Sequence, residues 1–254
     1  MLEIAKKVAV RAGRKVVFLR KRGLTFISKE RLGDFATQAD ITSEEIILRE
    51  LRKHFPDHNF LSEEAGKIDN HSEYTWVIDP LDGTTPYSSG MPTFAISIGL
   101  IREEQPILGV VNLPFLDSLF WAERGKGAFL NGKKINVNSK KELIKCVVGL
   151  DVPYIGRRRE AIERQLLPLA DKVRYPHMLG CASVGGVYVA KGILDAYLHT
   201  AYPWDYAAAS LMVTEAGGKV TDYSGKPIDW SKDWIDFFAS NGLIHDEILS
   251  LIKQ

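Results

Sequence analysis

Residues 76–85 read Trp-Val-Ile-Asp-Pro-Leu-Asp-Gly-Thr-Thr, and no other stretch restricts the fold so tightly. Apolar residues of strand character run into two carboxylates, Asp79 and Asp82, spaced around Pro80, with Gly83 and two hydroxyls directly behind. The strand needs burial for its apolar side chains, yet it ends by bringing like charges together. Two carboxylates in a cleft do not both stay ionised unless something positive sits between them. A hard divalent cation, Mg²⁺ above all, meets that need through oxygen ligands and keeps phosphate and water in its remaining positions. Pro, Asp and Gly are also ordinary turn residues. The strand in front of them favours a site, because ligands gather where strands end in α/β-type folds.

The segments around this run have distinct textures. Residues 2–20 place Leu2, Ala5, Val8, Ala9, Ala12, Val16 and Leu19 at helical spacing with a basic outer face, and Gly23 is a natural stop. A second helix is expected from Thr42 to Phe55, opened by Thr42-Ser-Glu-Glu45 as a capping box and ended by Pro56. Leu24–Gln38 between them reads as a loop or hairpin. From Thr75 to Val137 short runs rich in branched and aromatic residues alternate with tight turns, including the Asn131-Gly132 hairpin signal, which argues for an antiparallel sheet. After Ser139 strands and helices alternate: strands at 146–150, 194–198, 219–222 and 237–240, helices at 159–170, 183–191, 205–216 and 245–253. That rhythm describes a smaller α/β half. The division expected is an N-terminal α+β half, 1–140, with most of the candidate metal ligands, and a C-terminal α/β half, 141–254, that supplies Asp205 and substrate contacts across a cleft.

Charge balance narrows the partners. Lys and Arg number 33 against 32 acids, so the chain lacks the basic excess that captures nucleic acid or an anionic membrane. No apolar run is long enough to span a bilayer, and the N-terminus carries charges through its apolar positions, unlike a secretory signal. Cys146 and Cys181 are far apart and form neither a zinc motif nor a disulfide framework. Cytoplasm is the compartment expected.

Several further residues suit the chemistry of the central run. Glu63-Glu64 follows a short apolar stretch and reads either as solvated surface or as a strand end supplying another hard oxygen ligand. Asp40 and Asp205 each stand at a helix start, where a carboxylate also serves as a cap. Thr84 and Thr85 read as caps too, with Pro86 in a first helical turn. The N–H groups of Gly83 and Thr84 would then form an anion nest suited to phosphate. Gly180-Cys181-Ala182 opens another helix with small residues and allows a close backbone approach. Cys181 has no evident His partner, so it reads as a packed residue rather than a nucleophile. The six histidines show no metal-ligand spacing.

Taken in order, Asp40 in a Thr-x-x-Asp opening, Glu63-Glu64, Asp79-Pro-Leu-Asp82-Gly-Thr and Trp204-Asp205-x-Ala-Ala resemble the inositol monophosphatase-type family of Mg²⁺-dependent, lithium-sensitive phosphatases. Archaeal-type fructose-1,6-bisphosphatases belong to the same superfamily. The resemblance runs from the first helix to Ser240-Asn-Gly242. It implies a layered αβαβα sandwich of the α+β class and a homodimer. It also implies two or three Mg²⁺ ions, replaceable by Mn²⁺, with Li⁺ as inhibitor. By position it makes Glu63, Asp79, the Leu81 carbonyl, Asp82 and Asp205 the metal ligands. Asp40 and Thr84, with Glu63, become the catalytic set that orients and deprotonates water. Asp82, Gly83, Thr84, Gly180, Cys181, Ala182 and Asp205 become substrate contacts. Lys29 falls in the family's mobile loop, where a lysine often occurs. The substrate implied is a small phosphorylated metabolite, inositol monophosphate or fructose 1,6-bisphosphate. Histidinol phosphate, a 3′(2′),5′-bisphosphate nucleotide and a regulatory binding role without catalysis are the alternatives. The chain departs from the family at Pro86-Tyr87-Ser88-Ser89-Gly90 and at Leu198–Pro203, which lacks the acid that binds inositol ring hydroxyls.

Overall fold

A computed structural model describes residues 1–28, 35–153 and 155–252 of the chain. The outermost layer is a helix pair, α1 (Leu2–Arg20) and α2 (Gln38–His54). α1 buries Ala5, Val8, Ala9, Ala12 and Val16, the stripe its periodicity predicts. α2 begins at Gln38 rather than Thr42. Asp40 Oδ2 accepts from the Thr37 amide at 2.7 Å and the Thr37 hydroxyl at 2.6 Å, closing a capping box one turn earlier than expected. The Thr42 hydroxyl instead donates back to Gln38 O at 2.7 Å inside the helix. Between the helices, β1 (Phe26–Ser28) and β2 (Phe35–Thr37) pair antiparallel as a hairpin. Lys29 lies outside the described residues.

The second layer is an eight-stranded sheet. Its strands are β3 (Asn59–Ser62), β4 (Gly66–Ile68), β5 (Tyr74–Asp82), β6 (Ala95–Arg102), β7 (Gln105–Leu113), β8 (Ser118–Glu123), β9 (Gly127–Leu130) and β10 (Lys133–Ile135). The order is β10-β9-β8-β7-β6-β5-β3-β4. Asn131 and Gly132 turn the β9–β10 hairpin with φ of 48° and 80°, the left-handed pair such a turn requires. All neighbours are antiparallel except β3 and β5, which run parallel. That exception matters, because parallel pairing brings the C-terminal ends of β3 and β5 to the same edge. Glu63 follows one end, and Asp79 and Asp82 occupy the other.

A short helix α3 (Thr84–Ser88) follows β5. The second sheet holds β11 (Val147–Leu150), β12 (Tyr175–His177), β13 (Ala196–Ala201), β14 (Lys219–Thr221) and β15 (Ile235–Ser240), ordered β12-β11-β13-β15-β14. Around it lie α4 (Arg158–Ala161) and α5 (Leu167–Ala170), joined by the π-helical turn Ile162–Leu166. They are followed by α6 (Ala182–Ala190), α7 (Pro203–Glu215) and α8 (His245–Leu251).

Three apolar cores define five layers. One lies between α1/α2 and the first sheet, one holds α6 and α7 between the two sheets, and one packs α5 and α8 beneath the second sheet. The middle layer is drawn close by small residues. A Cβ on Gly99 would lie 2.9 Å from Ala207 Cβ, and one on Gly109 would lie 2.6 Å from Ala208 O. The Ala207-Ala-Ala run of α7 therefore seats directly on β6 and β7, which fixes the register of the helix that carries Asp205. Among the described residues no helix is long and apolar enough to cross a membrane.

Candidate active site

β5 does not end as a regular strand. Asp79 pairs with Ser97 and Asp82 with Ala95, so three steps along β5 oppose two along β6. In an unbroken strand residues three apart face opposite sides. The bulge removes that parity and turns both carboxylates to one side. Pro80 suits the interruption because it has no N–H to give to a ladder. The Leu81 amide donates to Asp79 Oδ1 at 3.0 Å and stiffens the turn. Asp205, in the first turn of α7, accepts from the Tyr202 amide through Oδ2 at 2.8 Å. Asp79, Asp82 and Asp205 each bring one carboxylate oxygen to within 4.8 Å of the others.

Glu63 joins them by electrostatics. Burial holds the Asp79 carboxyl well above the ordinary carboxylate range, and the charge of Glu63 is the next cause, ahead of Asp82 and Asp205. The Glu63 amide donates to Ile78 O at 3.2 Å, which carries the β3–β5 pairing one residue beyond the strand and sets Glu63 beside Asp79. A cleft of about 440 Å³ is lined by Glu63, Asp79, Leu81, Asp82, Gly83, Thr84, Gly180, Cys181, Ala182 and Asp205. These are all the residues to which the resemblance gives a catalytic, metal or substrate role, except Asp40. Asp40 is buried behind Thr84, whose hydroxyl donates to Asp40 Oδ1 at 3.0 Å and also reaches Leu81 O at 3.2 Å. Burial raises the Asp40 carboxyl, while bonds from Thr37 and Thr84 oppose the rise.

One face of α2 supports the loops that carry these acids. Asp40, Ser43 and Glu44 lie at helical i, i+3, i+4 spacing and all are buried. Ser43 Oγ donates to Pro80 O at 2.6 Å, inside the bulge. Glu44 Oε1 accepts from the Ser62 hydroxyl, from the Glu64 amide at 3.2 Å and from the Ala65 amide at 2.9 Å, pinning the turn that bears Glu63. On the opposite wall, Asp151 Oδ1 accepts from the Leu179 and Gly180 amides at 2.9 and 2.8 Å, and its Oδ2 accepts from the Tyr197 hydroxyl at 2.7 Å. Glu44 and Asp151 were not singled out in the sequence. A lone acid has no local signal beyond its place on an apolar stripe or at a strand end.

The Asp82 carboxylate also spans the molecule. It accepts from the Ala182 amide at 3.2 Å and the Ser183 amide at 2.5 Å, so β5 supplies the cap of α6 from the other half. Burial raises the Asp82 carboxyl, and these bonds hold it down. Gly83 has φ of 83°, and a Cβ there would lie 2.9 Å from Thr93 O and 3.0 Å from Cys181 Cβ. Gly180, at φ 68°, gives its space to the Pro86 ring, 2.9 Å from where a Cβ would stand. Pro86 thus packs against the Gly180 turn. Cys181 is fully buried, and burial with the Asp82 charge pushes its thiol far up, so it remains protonated, as a packed residue rather than a nucleophile.

The chain matches the model of the inositol monophosphatase family over residues 1–254. It belongs to that family. A fructose-1,6-bisphosphatase/inositol-1-monophosphatase of Aquifex aeolicus is 38% identical, with 100% of this chain and 95% of that protein covered. An inositol-1-monophosphatase of Mesorhizobium japonicum is 35% identical over 100% and 96%. Among solved structures, the Thermotoga maritima IMPase superposes with a TM-score of 0.87 at 34% identity, covering 98% of this chain and 95% of that one. Membership makes the chain a phosphoric monoester hydrolase acting on a small phosphorylated substrate, and the family is metal-dependent. The αβαβα layering and the sequence resemblance agree with it. Asp79, Asp82 and Asp205 fit a metal on their own chemistry. An all-oxygen set, buried at Asp79 and Asp82 and half-buried at Asp205, whose charges oppose the ionisation of Asp79, suits a hard cation.

Proposed function

We propose that the chain is a Mg²⁺-dependent phosphomonoesterase that hydrolyses a small polyol or sugar phosphate, inositol monophosphate or fructose 1,6-bisphosphate, by attack of water. The observation that carries this reading is the convergence of Asp79, Asp82 and Asp205, from two distant elements, to within 4.8 Å. Glu63, Asp79, the Leu81 carbonyl, Asp82 and Asp205 would hold the ions. When bound, Mg²⁺ polarises the phosphate oxygens, acidifies water and steadies the leaving alkoxide.

The chain's own groups position the reactants. The Thr84 hydroxyl, already directed at Asp40 Oδ1, relays a proton from water to that buried carboxylate. Gly83 and Thr84 line the cleft at the start of α3, where their amides would hold the phosphate, and the Gly180-Cys181-Ala182 turn, also in the lining, would bound the substrate. A covalent phosphoenzyme is not required, and Cys181 is too firmly protonated to form one. The reading includes a homodimer in the cytoplasm. The family resemblance supports the dimer, and two buried, unpaired cysteines suit a reducing compartment. It retains 1–140 and 141–254 as the two halves between which the cleft lies, and lithium as an inhibitor that competes for the acidic cluster.

Phosphate release with Mg²⁺, and with excess chelator, from inositol 1-phosphate, fructose 1,6-bisphosphate, histidinol phosphate and adenosine 3′,5′-bisphosphate tests it. Release from the first or second, abolished by chelator, is the expected result. Folded protein that releases phosphate from none of them contradicts it.

A further inference from the structure

The near-even charge of the whole chain conceals an uneven distribution. Residues 1–22 carry eight Lys or Arg and one acid, Glu3, a net side-chain charge of +7 in a chain whose total is +1, so everything after residue 22 sums to −6. These residues are α1 and the turn that closes it, in the outermost layer. Lys7, Arg11, Arg14 and Phe18 follow at i, i+4, i+7 and i+11, a line roughly 16 Å long on the side opposite the buried stripe, and all four are exposed. Lys21 and Arg22 extend the line and are exposed too. A solvated helix face ordinarily mixes its signs, because like charges a turn apart repel. Arg11 pairs with Glu50 at 2.9 Å and Lys6 with Glu3 at 2.8 Å, but among the described residues no carboxylate pairs with Lys7, Arg14, Lys21 or Arg22.

Phe18 stands 45% exposed among these cations. Lys15 Nζ and the Arg22 guanidinium lie over its ring, 5.2 and 4.6 Å from the centroid, where a stacking nucleobase would lie. Phe26 and Ile27, in the strand that continues the chain, are exposed as well. Nearer the start of α1 a shallow hollow of about 450 Å³ is lined by four cations, Lys6, Lys7, Arg11 and Arg14, and by one acid, Glu3. The apolar stripe of α1 is locked into the core, so the helix does not turn over to insert itself. What it presents is a row of cations around one aromatic side chain. That row fits a plane of anionic headgroups, which attracts each Lys or Arg held near it and admits an aromatic ring at headgroup depth. The acidic remainder of the molecule is repelled from the same plane, which favours the orientation with α1 towards it.

We propose that the outer face of α1 docks the protein on an anionic lipid bilayer, with Lys7, Arg11, Arg14, Lys21 and Arg22 against the headgroups and Phe18 between them. The stripe shares no residue with the cleft, so this inference stands apart from the phosphatase reading. Docking is reversible and salt-sensitive, because its main part is charge, and exposed charges are screened beyond about 10 Å at 0.1 M salt. Each cation at such a surface contributes about fivefold in affinity.

The test is co-sedimentation of the full chain with phosphatidylcholine vesicles that contain phosphatidylglycerol or lack it, at about 0.1 M and about 0.5 M salt. Wild type is compared with Phe18→Ser and with a triple variant, Lys7→Gln, Arg14→Gln and Lys21→Gln, circular dichroism serving as the check on folding. Binding to a single-stranded oligoribonucleotide and to an acidic peptide is measured alongside. The wild type is expected to bind only the vesicles with phosphatidylglycerol and to lose most of that binding at the higher salt. The triple variant should bind roughly 100-fold more weakly, the product of three charges, and Phe18→Ser several-fold more weakly at either salt. Folded wild type that stays in solution beside phosphatidylglycerol vesicles at low salt overturns the inference, as does a triple variant that binds like wild type. Unchanged binding of Phe18→Ser, or tighter binding of the oligoribonucleotide or the peptide through the same residues, overturns the bilayer as the occupant.

Discussion

The Thr84 hydroxyl lies 3.0 Å from Asp40 Oδ1, across 44 residues of chain. The contact joins the first turn of α2 to the first residue of α3, and it places a buried acceptor directly behind a hydroxyl in the cleft wall. If that pair moves a proton from water, Thr84→Val removes the relay while keeping the shape of the side chain. The expected loss in kcat is roughly 10²–10⁴-fold, the usual weight of a positioned acid–base group. Thr84→Ser should stay within about tenfold, because it keeps the hydroxyl. Steady-state phosphate release at saturating Mg²⁺ checks both. A Thr84→Val variant that keeps near-wild-type kcat would show that shape rather than proton transfer matters at this position.

Glu44 predicts a separation of metal affinity from fold. It is not one of the expected metal ligands, but it holds the Ser62–Ala65 turn through three donors. Glu44→Ala should weaken Mg²⁺ binding about 10- to 100-fold, as loss of a group that orients a ligand does. Three donors lose their acceptor at once, so a stability loss of about 1–3 kcal/mol should accompany it. Calorimetric titration with Mg²⁺ and urea unfolding measure the two effects. Glu44→Gln keeps an acceptor and should fall between Ala and wild type in both.

The acidic cluster predicts a reversal of stability with metal. In metal-free protein Asp79 is buried beside Glu63, Asp82 and Asp205, which oppose its ionisation. Removing one of these charges relieves repulsion, so Asp79→Asn without metal should unfold at a higher temperature than wild type, by the equivalent of about 1–3 kcal/mol. Saturating Mg²⁺ stabilises whichever protein binds it, so the order should invert when the ion is added. Thermal unfolding with Mg²⁺ and with chelator decides it. A variant less stable than wild type under both conditions would count against a repelling cluster.

His245 predicts a pH dependence away from the site. It is buried, with Nε2 at 2.9 Å from the Thr221 hydroxyl and Nδ1 at 2.8 Å from the Ser240 hydroxyl. Burial, aided by Lys219, lowers its pKa to about 4 from 6.5. Between those values the unfolded chain binds a proton that the folded chain does not, so stability falls as pH is lowered. The penalty is absent above pH 6.5 and fully developed near pH 4, on the order of 3 kcal/mol. Urea unfolding of wild type and His245→Asn across this window should show a shallower pH slope in the variant, by the contribution of one proton.

Much of this was legible in the sequence where the signal is local. The α1 stripe and the Asn131-Gly132 hairpin follow from spacing and turn chemistry, and Asp79, Asp82 and Asp205 were recognisable at the ends of their elements. The start of α2 was not. Thr37-x-x-Asp40 and Thr42-x-x-Glu45 both fit a capping box, and the tertiary contact with Thr84 accompanies the earlier one. The short strand β12 went unread, and β3 entered only as one of two readings of Glu63-Glu64, because three or four residues carry no period. The parallel pairing of β3 with β5, which sets Glu63 beside Asp79, is a long-range event with no local trace. Glu44 and Asp151 escaped for a related reason, since their partners lie 18–21 and 28–46 residues away.

The account stands most directly on where a divalent ion binds. Crystals grown with Mn²⁺ and inorganic phosphate, and measured at the manganese absorption edge, locate it without reference to activity. The prediction is anomalous density between the carboxylates of Asp79, Asp82, Asp205 and Glu63, with phosphate against it near the Gly83 and Thr84 amides. Well-ordered crystals at saturating Mn²⁺ in which those side chains share no ion would contradict it.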